Sequence, residues 1–172
     1  SRHADNVAPC IFGGFTLVRS VGPLDVIELD FPPLWATILH PQIEVKTAEA
    51  RSILPNEVPL NAALKQWANV GSLVSGLAKG DYGQIARSLE DWIVEPARKK
   101  LIPKFDEVKA ACIEAGALGG GISGSGPSVF MISEGRETAS KLEKVMSEAF
   151  NHTGIVFRTY ASEIARDGVR IM

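Results

Sequence analysis

The sequence predicts an α+β fold built from antiparallel strands and amphipathic helices. From residue 34 onward the predicted order is strand, several helices, strand, strand, helix, strand. This is the order of a split βαβ, or ferredoxin-like, unit with extra helices in its first crossover. A Pro-Pro pair at 32–33 separates it from a shorter N-terminal part, because proline interrupts helices and strands. We therefore predict a main domain over 34–172 and a smaller unit over 1–33.

Composition and charge agree with one globular domain of ordinary size. The chain has 172 residues, of which 45% are hydrophobic and 22% are charged, close to the average for soluble domains. Lys plus Arg number 18 against 20 for Asp plus Glu, whereas general nucleic-acid binders usually carry a basic surplus. No apolar run approaches the roughly 20 residues that a membrane-spanning helix needs. We expect neither a nucleic-acid partner nor a membrane partner.

The two cysteines predict a reducing compartment. Cys10 and Cys112 lie among apolar residues and have neither metal-ligand spacing nor the pattern of a disulfide framework. We expect both to be buried thiols in a cytoplasmic protein, with a bridge or a reactive thiol as the alternative. The chain opens on Ser1, without the charged and apolar regions of a signal peptide, and enters dense sequence at once. This suggests that the N-terminus is a cut end.

The sequence of the N-terminal unit predicts one helix and one hairpin. Residues 6–12 form a short apolar helix, which Gly13-Gly14 ends. Residues 15–19 and 26–29 alternate as strands, and Val21-Gly22-Pro23 between them is typical of a turn.

The first part of the main domain predicts a buried strand followed by helices. The apolar run 34–39 predicts the strand, and 47–54 predicts a short helix that Pro55 ends. Two longer helices follow, the first ending at Gly80 and the second, capped by Asp81, stopping at Glu95-Pro96. Their apolar positions are Leu60, Leu64, Trp67, Val74 and Leu77 in the first, and Ile85, Leu89, Trp92 and Ile93 in the second.

The remaining elements complete the split βαβ order. Residues 105–115 predict a helix closed by Gly116. Strands are predicted at 117–122 and at 128–132, on either side of a glycine-rich loop. Strands are also predicted at 155–160 and, as a last short one, at 169–172. A strongly amphipathic helix precedes them, with apolar positions Ala139, Leu142, Val145, Met146, Ala149 and Phe150.

The glycine-rich segment 117–128 is the most informative stretch. Its glycines permit positive φ and close approach to a ligand, and successive N–H groups with Ser123 and Ser125 can form an anion-binding nest. A tight hairpin is the alternative. A strand rather than a helix follows, which disfavours a dinucleotide fingerprint, and Ser125 stands where a P-loop needs lysine.

Polar residues in three other segments are candidates for ligand contacts. His3, Asp5 and Asn6 precede the first helix, where they can face a polar ligand or merely cap the helix. Thr47 and Arg51 lie one helical turn apart, which suits a carboxylate or phosphate, with an N-cap and a surface arginine as the alternative. Arg98 follows Glu95-Pro96-Ala97, and a solvated side chain is the alternative there.

These segments together closely resemble the homoserine kinases, a family of the GHMP small-molecule kinases, over nearly the whole chain. The glycine segment alone indicates only the superfamily, and the combination points to the homoserine kinases. The matching stretches are His3-Ala4-Asp5-Asn6-Val7-Ala8-Pro9, Thr47-Ala48-Glu49-Ala50-Arg51, Glu95-Pro96-Ala97-Arg98 and Gly121-Ile122-Ser123-Gly124-Ser125-Gly126-Pro127.

The resemblance implies phosphoryl transfer from ATP to the side-chain hydroxyl of L-homoserine, a step of threonine biosynthesis. It implies that Asn6 holds the substrate hydroxyl and that His3 lines the same pocket. Arg51 and Arg98 would bind the substrate carboxylate, and Thr47 would lie beside the reacting groups. The residues implied to support the nucleotide-phosphate loop are Gly121, Ser123, Gly124, Ser125 and Gly126.

The sequence departs from the family at its nucleotide site. The family's Gly-Leu-Gly-Ser-Ser-Ser-Ala motif and its Mg²⁺-binding acidic residue are absent. The resemblance thus implies a C-terminal GHMP kinase domain over 34–172, with 1–33 as a remnant of the N-terminal domain. ATP and Mg²⁺ are expected only in the full-length enzyme, and we expect the chain alone to bind ATP poorly and to lack kinase activity.

The expected partners are L-homoserine, ATP and the missing N-terminal domain, and a homodimer stays open. Two other functions also stay open. One is a GHMP kinase for another small alcohol, which the two arginines disfavour because an amino-acid carboxylate needs them. The other is a non-catalytic, amino-acid-binding regulatory domain, which leaves the glycine segment unexplained.

Overall fold

The computed structural model describes residues 4–169 and has an α+β fold. Its N-terminal elements are α1 (Val7–Phe12), β1 (Phe15–Val21) and β2 (Leu24–Leu29). Then come β3 (Trp35–Pro41), α2 (Thr47–Ser52), α3 (Leu60–Lys79), α4 (Tyr82–Ser88) and α5 (Glu95–Arg98), which a 3₁₀ turn (Lys99–Leu101) extends. The last elements are α6 (Phe105–Glu114), β4 (Gly119–Ile122), β5 (Val129–Ser133), α7 (Gly135–Asn151) and β6 (Phe157–Glu163).

The strand order confirms the ferredoxin-like prediction. Four strands form one sheet in the order β4-β5-β3-β6, and each neighbouring pair is antiparallel. β5 therefore separates β3 from β4, which is the split βαβ arrangement. Helices α2 to α6 lie in the first crossover, and α7 forms the second.

Alternation along the strands sends apolar side chains to both faces of the sheet. On one face Leu39, Val129 and Met131 pack in a buried cluster with residues of α6 and α7. On the other face Leu34 and Ile132 pack with Leu77 of α3 and Ile85 of α4. Because successive residues of a strand point to opposite faces, Met131 and Ile132 belong to different layers. The sheet thus lies between two helical layers.

The N-terminal hairpin packs on the second of these layers. Phe15 of β1, Leu29 of β2 and Phe31 contact the cluster around Leu34. β1 and β2 pair only with each other among the described strands, in a two-stranded sheet. The division between residues 33 and 34 stays a prediction, since the apolar contacts cross it.

Three local predictions need correction, whereas the strand predicted at 117–122 is confirmed as β4 (Gly119–Ile122). The second long helix ends at Ser88 and does not reach Ile93, and Glu95-Pro96 begins α5 instead of only ending a helix. Cys10 is exposed, whereas Cys112 is buried as predicted. Residue 169 lies in no strand, and 170–172 fall outside the described residues.

Between residues 4 and 169, no helix is both long enough and apolar enough to cross a membrane.

Candidate functional site

An open cleft brings together most of the polar residues singled out in the sequence. Counted out to bulk solvent, it encloses about 1040 Å³. Segments from four distant parts of the chain line it, so only the tertiary fold creates it. The lining residues are Asp5, Asn6, Thr47, Arg51, Leu54, Arg98, Gly124 and Ser125.

Asn6 contributes a side-chain amide that does not cap its own helix. It occupies the N-cap position of α1, yet its side chain makes no capping hydrogen bond. The capping alternative is therefore wrong for Asn6, and the residue lines the cleft instead. A Cβ built on Gly124 would lie 3.6 Å from Asn6 Nδ2, so the glycine turn sits directly against this amide.

Helix α2 places a hydroxyl and a guanidinium at the same wall. The N-cap of α2 is Lys46, so Thr47 is the first helical residue and not the cap that the alternative predicts. Arg51 lies four residues later on the same helical face, and both line the cleft. Ala50 of the same helix is fully buried and anchors α2. This short helix thus presents a donor pair suited to an anionic group.

Arg98 joins α2 to the glycine turn. Its Nε donates a hydrogen bond to the carbonyl oxygen of Ala50 at 3.0 Å, and its Nη1 donates to that of Gly124 at 2.8 Å. Arg98 is therefore not the freely solvated side chain that the alternative predicts. A guanidinium carries five N–H donors, and these two bonds use fewer than half of them. Arg98 can hold the walls together and still bind a carboxylate in the cleft.

Local hydrogen bonds and a shielded ion pair fix α5, which carries Arg98. Asp91 Oδ1 accepts hydrogen bonds from the backbone N–H groups of Ile93 and Val94, each at 2.8 Å, just before the helix. Lys109 Nζ of α6 lies 2.6 Å from Glu95 Oε1, with side chains 19% and 14% exposed. Burial raises the pKa of Glu95, and Lys109 opposes that rise. Sequence reasoning missed these three positioning residues, since each acts across a turn or between helices.

The glycine segment divides between two roles. Gly121 lies in β4, where an added Cβ would come within 2.9 Å of Glu95 Oε2. It borders a neighbouring cavity of about 580 Å³ and is not among the residues lining the cleft. The Glu95 carboxylate therefore lies close against this glycine, and the predicted support of a phosphate loop by Gly121 stays a prediction.

The turn after β4 uses part of its hydrogen-bonding capacity internally. The N–H of Ser123 donates to Ser128 O at 2.8 Å, and the N–H of Gly126 donates to Ser123 O at 2.9 Å. Gly124 and Gly126 have φ of +58° and +81°, a conformation that disfavours side chains. Two N–H groups of the predicted anion nest are thus occupied, while Gly124 and Ser125 reach the cleft.

Two predicted features of the site need separate mention. His3 lies outside the described residues. Asp5 is the acidic residue among those lining the cleft, and residues 4–169 contain no group of three or more His, Cys, Asp or Glu suited to a metal ion.

Comparison with known proteins identifies relatives of this chain. The profile of the GHMP kinase C-terminal domain matches residues 73–152. A homoserine kinase of Chlorobium phaeobacteroides is 47% identical over the whole of this chain, which covers 55% of that relative. A homoserine kinase of Pyrococcus furiosus is 43% identical over 96% of this chain and 56% of its own length. The chain is homologous to the C-terminal part of homoserine kinases. It spans about half the length of the curated relatives it matches.

Solved structures agree with this homology. The crystal structure of homoserine kinase from Cytophaga hutchinsonii superposes with a TM-score of 0.94 and 53% identity, covering 98% of this chain and 54% of that one. A phosphomevalonate kinase from Streptococcus pneumoniae reaches a TM-score of 0.61 at 14% identity, covering 82% of this chain and 43% of that one. The second likeness shows the fold alone. The α+β fold is thus that of the GHMP kinase C-terminal domain.

Proposed function

We propose that the chain supplies the substrate-binding part of an ATP-dependent homoserine kinase. The observation that carries this proposal is the convergence of Asn6, Thr47, Arg51 and Arg98 on one cleft. Two guanidinium groups suit the carboxylate of an amino acid, because arginine binds carboxylates bidentately. The amide of Asn6 and the hydroxyl of Thr47 offer neutral partners for a substrate hydroxyl. Homology to homoserine kinases supports the choice of L-homoserine.

The chemistry assigned to these residues is positioning and charge neutralisation. Phosphoryl transfer requires mainly an aligned acceptor and stabilised charge, so the site needs no strong general base. Arg51 and Arg98 fix one end of the substrate, and Asn6 orients the hydroxyl at the other end. Thr47 lies beside the reacting groups, and the turn at Gly124 and Ser125 supports the nucleotide-phosphate loop. ATP with Mg²⁺ would supply the transferred phosphoryl group and bind mainly to residues outside this chain.

The test compares the chain with the full reading frame that contains it. We expect the full frame to release ADP in the presence of ATP, Mg²⁺ and L-homoserine, and the purified 172-residue chain to release none. Homoserine-dependent ADP release by the chain alone would contradict the expectation of inactivity. Turnover with another alcohol but not with homoserine would keep a GHMP kinase and discard the substrate. Amino-acid binding without turnover in either protein would favour a regulatory domain.

The arginines provide the residue-level prediction. In the full protein, Arg51→Ala removes a charged hydrogen bond worth about 1.5–3 kcal/mol, so KM for homoserine should rise roughly 10- to 150-fold. Arg136→Ala on the exposed first turn of α7 is the matched control and should change little. Homoserine amide, which lacks the carboxylate, should be a poor substrate for the unaltered enzyme. Its KM should rise little further in the Arg51→Ala variant. If Arg51→Ala raised KM equally for homoserine and for homoserine amide, Arg51 would not bind the substrate carboxylate.

A further inference from the structure

The glycine turn, residues 123–128, is held on its near side by the segment around α5. Arg98 Nη1 donates a hydrogen bond to Gly124 O at 2.8 Å. A Cβ added at Gly126 would lie 3.2 Å from Cδ1 of Ile102, a buried residue that follows the 3₁₀ turn after α5. These contacts do not reach the far end of the glycine turn, where the chain enters β5 at Val129.

The far end of the glycine turn is held by a side chain of the interior strand β3. His40 Nδ1 lies 2.8 Å from Ser128 Oγ, within hydrogen-bond distance, and both residues are half-buried. The imidazole donates to the hydroxyl or accepts from it, according to which ring nitrogen carries the proton. Ser128 O in turn accepts a hydrogen bond from the N–H of Ser123 at 2.8 Å, which closes the turn. His40 therefore joins β3 to the base of the glycine turn.

Backbone pairing does not make this connection. The ladder between β3 and β5 ends at the pair of Leu39 with Val129, whereas β3 continues its pairing with β6 through Pro41. On the β5 side, the bond between the side chains of His40 and Ser128 therefore takes the place of the ladder. The position of Ser128 thus depends on the side chain at residue 40.

The residues between these two attachments line the cleft. Gly124 and Ser125 border it, whereas His40 is not among its lining residues. In the proposed function this turn supports the nucleotide-phosphate loop, so its position affects the alignment of the phosphoryl group with its acceptor. A displacement of about 1 Å can lower the rate of such a reaction by roughly 100-fold. His40 can therefore affect the reaction only through the glycine turn.

We propose that His40 is a positioning residue of the kinase reaction, because its bond to Ser128 fixes the far end of the glycine turn as Arg98 fixes the near side. The inference rests on the proposed function for its effect on catalysis. It gives His40 no contact with the substrate and no part in proton transfer. A purely structural role would lower stability and leave the kinetics of each folded molecule unchanged. A positioning role loosens the turn locally and lowers kcat.

Residue-resolved hydrogen exchange on the full protein, without substrates, tests the contact itself. In His40→Leu the amides of Ser123 and Gly126, whose bonds close the turn, should exchange roughly 3- to 12-fold faster. The amide of Leu118, bonded to β5 at the other end of β4, should be unchanged and reports any general destabilisation. His152→Leu makes the same change at the exposed end of α7 and is the matched control. Turn amides that exchange no faster than in the unaltered protein would overturn the proposal.

Steady-state kinetics of the same protein test the effect on the reaction. At saturating ATP, His40→Leu should lower kcat roughly 3- to 12-fold. KM for homoserine should stay within about twofold, because Arg98 keeps its bond to Ala50 O and still faces the carboxylate. Unchanged kcat, or a rise in KM alone, would overturn the proposal. If the unaltered protein did not phosphorylate homoserine, the proposed function would fail, while hydrogen exchange would still decide whether His40 holds the turn.

Further variants separate this bond from other effects of residue 40. An asparagine amide can occupy the place of the imidazole Nδ1, whereas the longer glutamine places its amide nearer to that of Nε2. His40→Asn should therefore recover most of kcat, and His40→Gln should not. Ser128→Ala removes the same bond from the other side and carries the test if His40→Leu does not fold. The double variant should lose no more than either single one, since one bond is removed in each case. Additive losses, or equal activity of the His40→Asn and His40→Gln variants, would overturn the proposal.

Discussion

Helices α3 and α7 carry similar sequence patterns and lie in opposite surroundings. In α7 the stripe Ala139, Leu142, Met146 and Phe150 is completely buried against the sheet and α6. In α3 the residues Leu60, Leu64 and Trp67 are more than half exposed, and polar side chains face inward. The helical spacing of apolar residues therefore identifies a helix and its apolar face. It does not reveal whether other residues of the same chain bury that face.

Two substitutions to alanine, one in α7 and one in α3, should show the largest difference between these helices. Phe150→Ala leaves a cavity in the core and should lower the free energy of unfolding by about 3–5 kcal/mol. Leu64→Ala should change it by no more than about 0.5 kcal/mol, because Leu64 is 54% exposed. Urea unfolding of both variants in parallel measures the difference. Similar losses for the two would mean that the stripes of α3 and α7 are equally buried in solution.

A smaller effect is expected from the hydrogen bonds that attach the two helices. Thr37 Oγ1 of β3 donates to Ala139 O of α7 at 3.2 Å, and Thr37 is fully buried. Thr37→Val should cost about 1 kcal/mol, because a buried hydrogen bond between strand and helix is lost. Asn69→Ala, which removes a more exposed bond of α3, should cost about half as much. A larger loss at Asn69 than at Thr37 would contradict this order.

The smallest effect concerns a buried charge and depends on pH. Burial raises the pKa of Glu95 above its ordinary 4.5, so the folded chain binds this proton more tightly than the unfolded chain. The contribution of Glu95 to stability is therefore fully present below pH 4.5 and is lost as pH rises through the folded pKa. Glu95→Gln removes this dependence, so the variant should gain stability relative to the unaltered chain as pH increases. Unfolding titrations at acidic and neutral pH measure it, and a relative loss with rising pH would show that Lys109 outweighs burial.

Sequence reasoning predicted the fold better than the ends of its elements. Strand order followed from the alternation of short apolar runs with long helical periods, and the sheet confirms it. The end of α4 could not be predicted, because the apolar period continues through Trp92 and Ile93. There the Asp91 carboxylate accepts backbone hydrogen bonds from Ile93 and Val94, and this local turn replaces the helix. Proline at 96 fits the first turn of a new helix, so the same residue allows α5 to begin.

The candidate site was predictable only by resemblance. Thr47 and Arg51 share a helical face by spacing, but nothing in their spacing brings them to Arg98 or Asn6. The packing of Glu95 against Gly121 was not predictable either, since it joins a helix to an edge strand. Cys10 was predicted to be buried but is exposed, because α1 has six residues and buries only Ala8. A helix of fewer than two turns gives no reliable apolar period.

The way the early and late segments of the chain meet has a consequence for synthesis on the ribosome. Gly14 N donates to Ala165 O at 2.8 Å, and Val169 N donates to Cys10 O at 3.1 Å. Ribosomes release the chain from its N-terminus at roughly 5–20 residues per second. Helix α1 and the β1-β2 hairpin therefore emerge before the segment that holds them and must wait roughly 8–30 seconds for it. During that delay their apolar side chains are open to chaperones, and nascent-chain crosslinking would capture this period of exposure.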